Sequence, residues 1–138
     1  MDFIVTDREG IESGVLVRSA YVVISISDPG SRRAKVKKQS GLRGVLYLTF
    51  NDAEPPTTSS MVLFSPQQAR QIVEFVASHQ TGIGAVVVHC HQGMSRSPAV
   101  AAALCKAMGG DGGQFWQGYC PNAHVYKLVC GAAKGQFK

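Results

Sequence analysis

Two reactive residue types lie close together in the second half of the chain. Cys90 and Arg96 are separated by five residues, and the run between them contains Gly93. The apolar residues 85–88 predict a buried strand before the cysteine, and the residues after Arg96 predict a helix. A strand-to-helix junction directs unpaired backbone N–H groups toward one point, which favours an anion there. The guanidinium of Arg96 can hold two oxygens of such an anion.

The thiol of Cys90 would lie at the base of this anion site. A cysteine at a helix N-terminus beside a cation is stabilised as the thiolate. Cys90 is therefore predicted to be a nucleophile that attacks the phosphorus of a bound ester and forms a cysteinyl-phosphate. The hydroxyl of Ser97 can donate toward the sulfur and help it leave in the second step. The opposing interpretation is a buried structural cysteine followed by a loop that starts a helix.

The pattern His89-Cys90-x-x-Gly93-x-x-Arg96-Ser97 resembles the signature of the cysteine-dependent protein tyrosine and dual-specificity phosphatases. In its flanking residues it is most similar to the compact dual-specificity-type members and their small bacterial relatives. The resemblance implies that Cys90 is the nucleophile, that Arg96 binds the phosphate and that His89 supports the loop. It also implies that the other loop residues bind the substrate phosphate: His91, Gln92, Gly93, Met94 and Ser95.

The resembled family uses an aspartate upstream of the cysteine as the proton donor for the leaving oxygen. Asp52 follows a predicted strand and is the candidate for this role, first as an acid and then as a carboxylate that activates water. A turn-forming role is the alternative for Asp52. Glu54 is the substitute acid, and Asp28, at another strand end, is a weaker candidate. Asp111 would suit the low-molecular-weight phosphatases, but these carry their cysteine loop near the N-terminus.

The rest of the sequence predicts alternating strands and helices. The predicted strands are 21–26, 44–50 and 85–89, with edge strands at 4–5 and 14–17. The predicted helices begin at Pro66, Arg96 and Pro121, and the last two end at Met108 and Ala132. The unbroken apolar character of residues 85–88 is typical of a central parallel strand. An α/β fold with a central, mostly parallel sheet flanked by helices is predicted, and the resemblance implies a protein tyrosine phosphatase-like version of it.

Length and composition indicate one domain over residues 1–138, and the resemblance implies that it is a phosphatase-like catalytic domain. The chain has 138 residues, of which 45% are hydrophobic, enough for one sizeable core. Residues 1–8 lack a basic region followed by an apolar stretch, so no signal peptide is expected. The longest apolar runs are too short to span a bilayer, so no membrane insertion is expected.

The four cysteines favour a reduced, cytoplasmic setting, because a nucleophilic thiol must stay unoxidised. Cys105 lies on an apolar helical stretch and is predicted to be a core residue. Cys120 and Cys130 are ambiguous, and either could be a resolving thiol for Cys90. Adjacent residues of a strand point to opposite faces, so Cys90 and its histidine neighbours are poorly arranged for one metal ion. We expect neither a metal nor a cofactor.

The net charge is +5, and six basic residues are concentrated in residues 32–43. This basic segment could steer anionic substrates to the site, although a solvated loop is the favoured interpretation. The cluster lacks interleaved aromatic residues, so no nucleic-acid partner is expected. The expected protein is a monomer that acts on a phosphorylated protein or peptide.

The resemblance implies hydrolysis of phosphotyrosine, and the short chain favours a shallow site that also reaches phosphoserine and phosphothreonine. Some relatives act on RNA 5′ ends or inositol lipids, which stay as alternatives. A non-enzymatic phosphate-binding pseudophosphatase and a rhodanese-like sulfurtransferase are the rival classes. Both the cysteine and the arginine are present, which argues against a pseudophosphatase. The Arg96-Ser97 pair fits phosphoryl transfer better than it fits sulfur transfer.

Overall fold

The computed structural model describes residues 1–137 and has an α/β fold. Four strands form one sheet in the order β1-β4-β2-β3, and every neighbouring pair is parallel. The strands are β1 (Asp2–Thr6), β2 (Tyr21–Ser27), β3 (Leu42–Thr49) and β4 (Ala85–His89). The helices are α1 (Arg8–Ser13), α2 (Pro66–His79), α3 (Arg96–Ala107) and α4 (Ala123–Ala133), with short 3₁₀ turns at Gln80–Gly82 and Gly113–Trp116. The prediction of a mostly parallel sheet flanked by helices is confirmed.

The two central strands are buried on both faces because successive side chains point to opposite sides of the sheet. The side chains on one face of the sheet pack in a large core with α2, α3 and α4. Val22 and Val88 belong to this set. The alternate set, with Val23 and Val87 among its members, packs in a smaller core with Ile11 of α1. The predicted central position of β4 is therefore confirmed, and its carboxyl end emerges in the middle of the sheet edge.

The strand predicted at 14–17 is wrong. Gly14 ends α1 with a φ of +114°, a conformation that glycine adopts readily. The backbone of Val15 pairs with the side-chain amide of Gln39 and not with a strand. Its N–H donates to Gln39 Oε1 and its carbonyl oxygen accepts from Gln39 Nε2, both at 3.0 Å. Leu16 is 91% exposed. The segment therefore satisfies its backbone locally, while the edge strand predicted at 4–5 exists as β1.

The long connection from β2 to β3 also runs without a helix and is held by side chains of α1. Arg8 donates to the carbonyl oxygens of Arg32 and Arg33 at 2.8 and 3.1 Å. Glu12 accepts the backbone N–H of Lys35 at 2.8 Å. The short helix α1, absent from the predicted elements, thus fixes the basic segment on the outside of the smaller core.

The predicted helices are present with small shifts at their ends. Ser65 and Gln68 form the expected capping box at the start of α2, with Pro66 as the first residue. The helix α3 ends at Ala107, one residue before the prediction, and Gly109 follows with a φ of +91°. The helix α4 begins at Ala123, because Asn122 is its N-cap. Among residues 1–137, no helix combines the length and the apolar character needed to cross a bilayer.

Candidate active site

The candidate site lies where the carboxyl ends of the parallel strands meet. Because all four strands run the same way, residues that follow different strands converge at one edge of the sheet. Asp28 follows β2, Asp52 follows β3, and Cys90 follows β4. Together with Arg96 and most of the intervening loop, these residues line a cleft of about 230 Å³. The structure therefore brings together the thiol, the guanidinium and the predicted acid.

The loop of residues 90–95, called the cysteine loop here, needs glycine at its third position after the thiol. Gly93 has a φ of +69°, in the region that side chains disfavour. A Cβ on Gly93 would lie 2.9 Å from the carbonyl oxygen of Thr6 and 3.0 Å from its carbon. The backbone at the end of β1 therefore lies so close to the loop that only glycine fits at position 93.

The carbonyl groups of the cysteine loop are tied to other parts of the chain. The oxygens of His91, Met94 and Ser95 accept backbone hydrogen bonds of 3.2, 2.9 and 3.0 Å. Their donors, in that order, are the N–H groups of Arg8, Cys120 and Asn122. Across a trans peptide the N–H points opposite to the C=O, so the amides of Gln92, Ser95 and Arg96 face away from these anchors. Within residues 1–137 these amides donate to no protein acceptor, and they are free to bind an anion.

Cys90 lies beneath this loop and is only 2% exposed. Gly93 N–H donates to its Sγ at 3.3 Å, and Ser97 Oγ lies 3.2 Å from the sulfur. Ser97 is itself fully buried. When the sulfur is ionised it can only accept, so both groups then act as donors that stabilise negative charge on it.

Arg96 is a buried cation, with 5% of its surface exposed. Its Nη1 donates to the carbonyl oxygen of Phe50 at 2.8 Å and lies 2.7 Å from Oδ1 of Asp28. Its Nε has no partner, and it is the one buried side-chain nitrogen or oxygen in residues 1–137 left in this state. Buried donors are almost always satisfied in folded proteins. This unused donor indicates that the guanidinium is arranged for an acceptor at the cleft.

The sequence pattern does not predict the ion pair between Asp28 and Arg96. It offers Asp28 only as a weaker candidate for the proton donor, whereas the structure places Asp28 in the cleft and pairs it with Arg96. Its side chain is 45% exposed, so the pair is open to solvent on the side of Asp28. The sequence feature that could have indicated this contact is the position of Asp28 directly after β2, a strand of the parallel sheet.

Asp52, the candidate acid, lines the cleft and is held there by two donors. Ser95 Oγ donates to Asp52 Oδ1 at 2.7 Å, and Asn122 Nδ2 donates to the same oxygen at 2.9 Å. Glu54 is exposed and is not among the residues that line the cleft, and neither is Asp111. Of the candidate acids, only Asp28 and Asp52 therefore reach the thiol's cleft.

The other predicted loop residues lie where the motif places them. His91, Gln92, Met94 and Ser95 line the cleft, and Met94 exposes 42% of its surface at its rim. The basic side chains between Arg32 and Arg43 are exposed and do not line the cleft, which agrees with a solvated segment. All four cysteines are unpaired thiols. Cys105, predicted to be a core residue, is only half-buried and packs against the large core, while Cys120 is exposed.

His89 lies under the loop in a fully buried position. Its Nδ1 lies 3.3 Å from the carbonyl oxygen of Cys90 and its Nε2 lies 2.6 Å from Ser25 Oγ. A carbonyl can only accept, so Nδ1 carries the proton and the hydroxyl of Ser25 donates to Nε2. Burial lowers the pKa of His89, against a smaller opposing effect of its bond to Cys90. The neutral ring therefore supports the backbone at the thiol without adding charge.

We expect His89→Gln to flatten the dependence of stability on pH. Because burial lowers the pKa of His89 in the folded protein, the unfolded chain binds this proton more readily, and stability rises with pH. The stability is fully present above the unfolded value of about 6.5 and is lost as the pH falls from there toward the folded value. The variant should remove a slope of at most about 1.4 kcal/mol per pH unit. Urea unfolding between pH 5 and 8 measures it.

His79→Gln is the matched control, because His79 lies at the end of α2, away from the cleft. Comparing its pH slope with that of His89→Gln separates the effect of the buried site from that of removing a histidine elsewhere. Equal slopes for His89→Gln and the wild type would contradict the prediction.

Fold and site together define an α/β domain with a buried thiol beneath a loop of free backbone N–H groups and beside a buried arginine. No protein-family model matches the chain, and no curated protein matches it.

Proposed function

We propose that this protein is a phosphomonoester hydrolase of the cysteine-dependent protein tyrosine phosphatase superfamily. The observation that carries the proposal is the buried Arg96, which has an unpartnered Nε and lines the same cleft as Cys90 and as Gln92 and Ser95, whose amides are free. Hydrogen-bond donors that converge in this way can stabilise the negative charge on the phosphoryl oxygens during phosphoryl transfer. The resemblance of the cysteine loop to the phosphatase signature agrees with this chemistry.

In the first step, the Cys90 thiolate attacks the phosphorus of a bound monoester. An S–P bond forms while the bond from phosphorus to the ester oxygen breaks. The leaving oxygen takes the proton of the Asp52 carboxylic acid, so an alcohol or phenol departs and Asp52 becomes a carboxylate. Arg96 and the loop amides hold the three other phosphoryl oxygens throughout.

In the second step, the Asp52 carboxylate takes a proton from water, whose oxygen attacks phosphorus. An O–P bond forms, the S–P bond breaks, and inorganic phosphate is released. The electron pair of the broken bond returns to Cys90, and Ser97 stabilises the departing sulfur by donating a hydrogen bond from 3.2 Å away. Asp52 is protonated again, so the cycle needs neither a metal nor a cofactor.

The proposed substrate is a phosphotyrosine protein or peptide, with phosphoserine and phosphothreonine as further substrates. The cleft is small, about 230 Å³, and the Met94 side chain at its rim is exposed. We propose that this opening is shallow, so that it admits both long and short phosphorylated side chains. We further propose a cytoplasmic monomer, because a nucleophilic thiol requires a reducing compartment.

Phosphate release from p-nitrophenyl phosphate tests the proposed activity, and phosphopeptides test its breadth. Turnover of phosphotyrosine peptides together with strict rejection of phosphoserine and phosphothreonine peptides would remove the broader specificity. Binding of phosphopeptides without phosphate release between pH 5 and 8 would replace the enzyme with a phosphate-binding module. Thiocyanate formation from thiosulfate and cyanide would instead identify a sulfurtransferase.

Asp52→Ala is expected to lower kcat by about 10²-fold or more while changing KM little, because general acid catalysis contributes on that scale. The variant removes the proton donor but leaves the anion-binding groups in place. Steady-state kinetics with phenyl phosphate, whose phenolate leaving group needs a proton, measure both constants. Glu54→Ala is the matched control, since Glu54 is exposed and outside the cleft lining. A large fall in the control and none in Asp52→Ala would transfer the acid role to Glu54.

A further inference from the structure

Asn122 connects three segments at the candidate site. It is 3% exposed and is the N-cap of α4, where its Oδ1 accepts from Val125 N–H at 3.0 Å. Its Nδ2 donates to Asp52 Oδ1 at 2.9 Å and to the carbonyl oxygen of Ala53 at 3.0 Å. Its backbone N–H donates to the carbonyl oxygen of Ser95. One buried residue therefore ties the acid segment and the cysteine loop to the start of α4.

Helix capping explains only half of this arrangement. An N-cap needs a side-chain oxygen, and serine, threonine and aspartate supply one as well as asparagine does. The Nδ2 group plays no part in capping, and both of its hydrogens are used on the segment that carries Asp52. The amide of Asn122 thus has a second task, which is to fix the position of Asp52.

The bonds to Asp52 distinguish its two oxygens. Asp52 Oδ1 accepts hydrogen bonds from both Ser95 Oγ and Asn122 Nδ2, whereas Oδ2 accepts from no donor within residues 1–137. A neutral carboxylic acid has one oxygen that only accepts and one that carries the proton. Two donors aimed at Oδ1 favour the proton on Oδ2.

We propose that Asn122 is a positioning residue that, together with Ser95, fixes Asp52 with its transferable proton on Oδ2. This inference rests on the proposed phosphatase function and on the role of Asp52 in it. The structural basis is the convergence of the Asn122 amide and the Ser95 hydroxyl on a single carboxylate oxygen at the cleft. The consequence is that loss of either donor should impair proton delivery more than phosphate binding.

The test compares two aryl phosphates that differ in the need for an acid. The p-nitrophenolate anion leaves readily without a proton, whereas the phenolate of phenyl phosphate needs one. The measured quantity is the ratio of kcat for p-nitrophenyl phosphate to kcat for phenyl phosphate. Asn122→Ser keeps a capping oxygen for α4 and removes the amide donor without adding charge. Ser95→Ala removes the other donor, and this side chain does not cap α3.

We expect Asn122→Ser to raise the kcat ratio about 10-fold, with KM for both esters little changed, since general acids contribute at least this much. Ser95→Ala should raise the ratio in the same direction. In an Asp52→Ala background, adding Asn122→Ser should change the ratio by less than about 2-fold, because the two residues act as one unit. Equal losses for both esters, or a shift that persists without Asp52, would overturn the inference.

The possible failures are distinguishable. If the wild type hydrolyses neither ester, the proposed function fails and the inference fails with it. If the wild type and Asp52→Ala behave as expected while neither Asn122→Ser nor Ser95→Ala shifts the ratio, only the inference fails. Should Asn122→Ser fold poorly in thermal unfolding, Ser95→Ala still decides the outcome.

A measurement without turnover checks the contact itself. The side-chain amide of Asn122 gives a pair of proton resonances in a ¹⁵N-labelled protein. Asp52→Ala should move these resonances, because one amide hydrogen loses its carboxylate acceptor, while Glu54→Ala should leave them in place. Unmoved resonances in Asp52→Ala would contradict the proposed hydrogen bond.

Discussion

Cys90→Ser is expected to abolish phosphate release, with kcat for p-nitrophenyl phosphate lowered by at least about 10⁴-fold. A serine hydroxyl can keep the contacts near Gly93 and Ser97, but it stays protonated at neutral pH and cannot attack phosphorus as the thiolate does. The anion-binding groups remain, so the variant should still bind phosphate or a phosphopeptide. Steady-state phosphate release and a binding titration measure the two properties separately.

Cys105→Ser is the matched control for this prediction. Cys105 is a half-buried thiol of α3 that packs against the large core and does not line the cleft. Its activity should stay within about 2-fold of the wild type, as expected for distant and independent sites. Acid quenching during turnover should also trap phosphate on the wild type and none on Cys90→Ser. Substantial turnover by Cys90→Ser, or a wild type without trapped phosphate, would disprove the covalent mechanism.

Arg96→Lys is expected to reduce kcat/KM by about 10²- to 10⁴-fold, although the charge is conserved. The guanidinium binds the carbonyl oxygen of Phe50 and the carboxylate of Asp28 through Nη1 while its Nε remains available. A single ammonium group on a flexible chain cannot make these contacts and also hold two oxygens of an anion. Kinetics with p-nitrophenyl phosphate and titration with vanadate, a phosphate analogue, measure the loss.

Arg33→Lys is the control that makes the same chemical change elsewhere. Arg33 is exposed, and its guanidinium lies 4.3 Å from the centre of the Tyr47 ring, outside the cleft lining. Its kinetics should match those of the wild type. If Arg96→Lys retained full affinity for vanadate and full kcat/KM, the buried guanidinium would have no role in holding the anion.

Local patterns in the sequence were sufficient to predict the centre of the fold. The apolar run before Cys90 gave β4, and the Ser65 capping box gave the start of α2, because both depend on neighbouring residues. The predicted strand at 14–17 failed because the side chain of Gln39 takes the place of a neighbouring strand. That side chain comes from a distant part of the sequence, and no pattern around Val15 indicates it.

The candidate site was predictable in its contiguous motif and in the candidate acid Asp52, but the contacts between separate segments were not. The motif from His89 to Ser97 identifies the thiol, the arginine and the loop, while its partners come from other strands and from α4. The contact between Asp28 and Arg96 depends on the alignment of β2 and β4. The contact between Asn122 and Asp52 joins residues 70 positions apart. Strand order and helix packing set these distances, and neither is encoded in residue spacing.

The three anchors of the cysteine loop have a consequence for how the chain matures. Its carbonyl groups are tied to Arg8 near the start of the chain and to Cys120 and Asn122 near the end. During synthesis the thiol emerges before two of these anchors exist. A ribosome-bound or prematurely terminated chain that ends before Cys120 would lack two of the three backbone bonds that hold the cysteine loop. The folded geometry of the cysteine loop is therefore complete only after residues 120–122 have been synthesised.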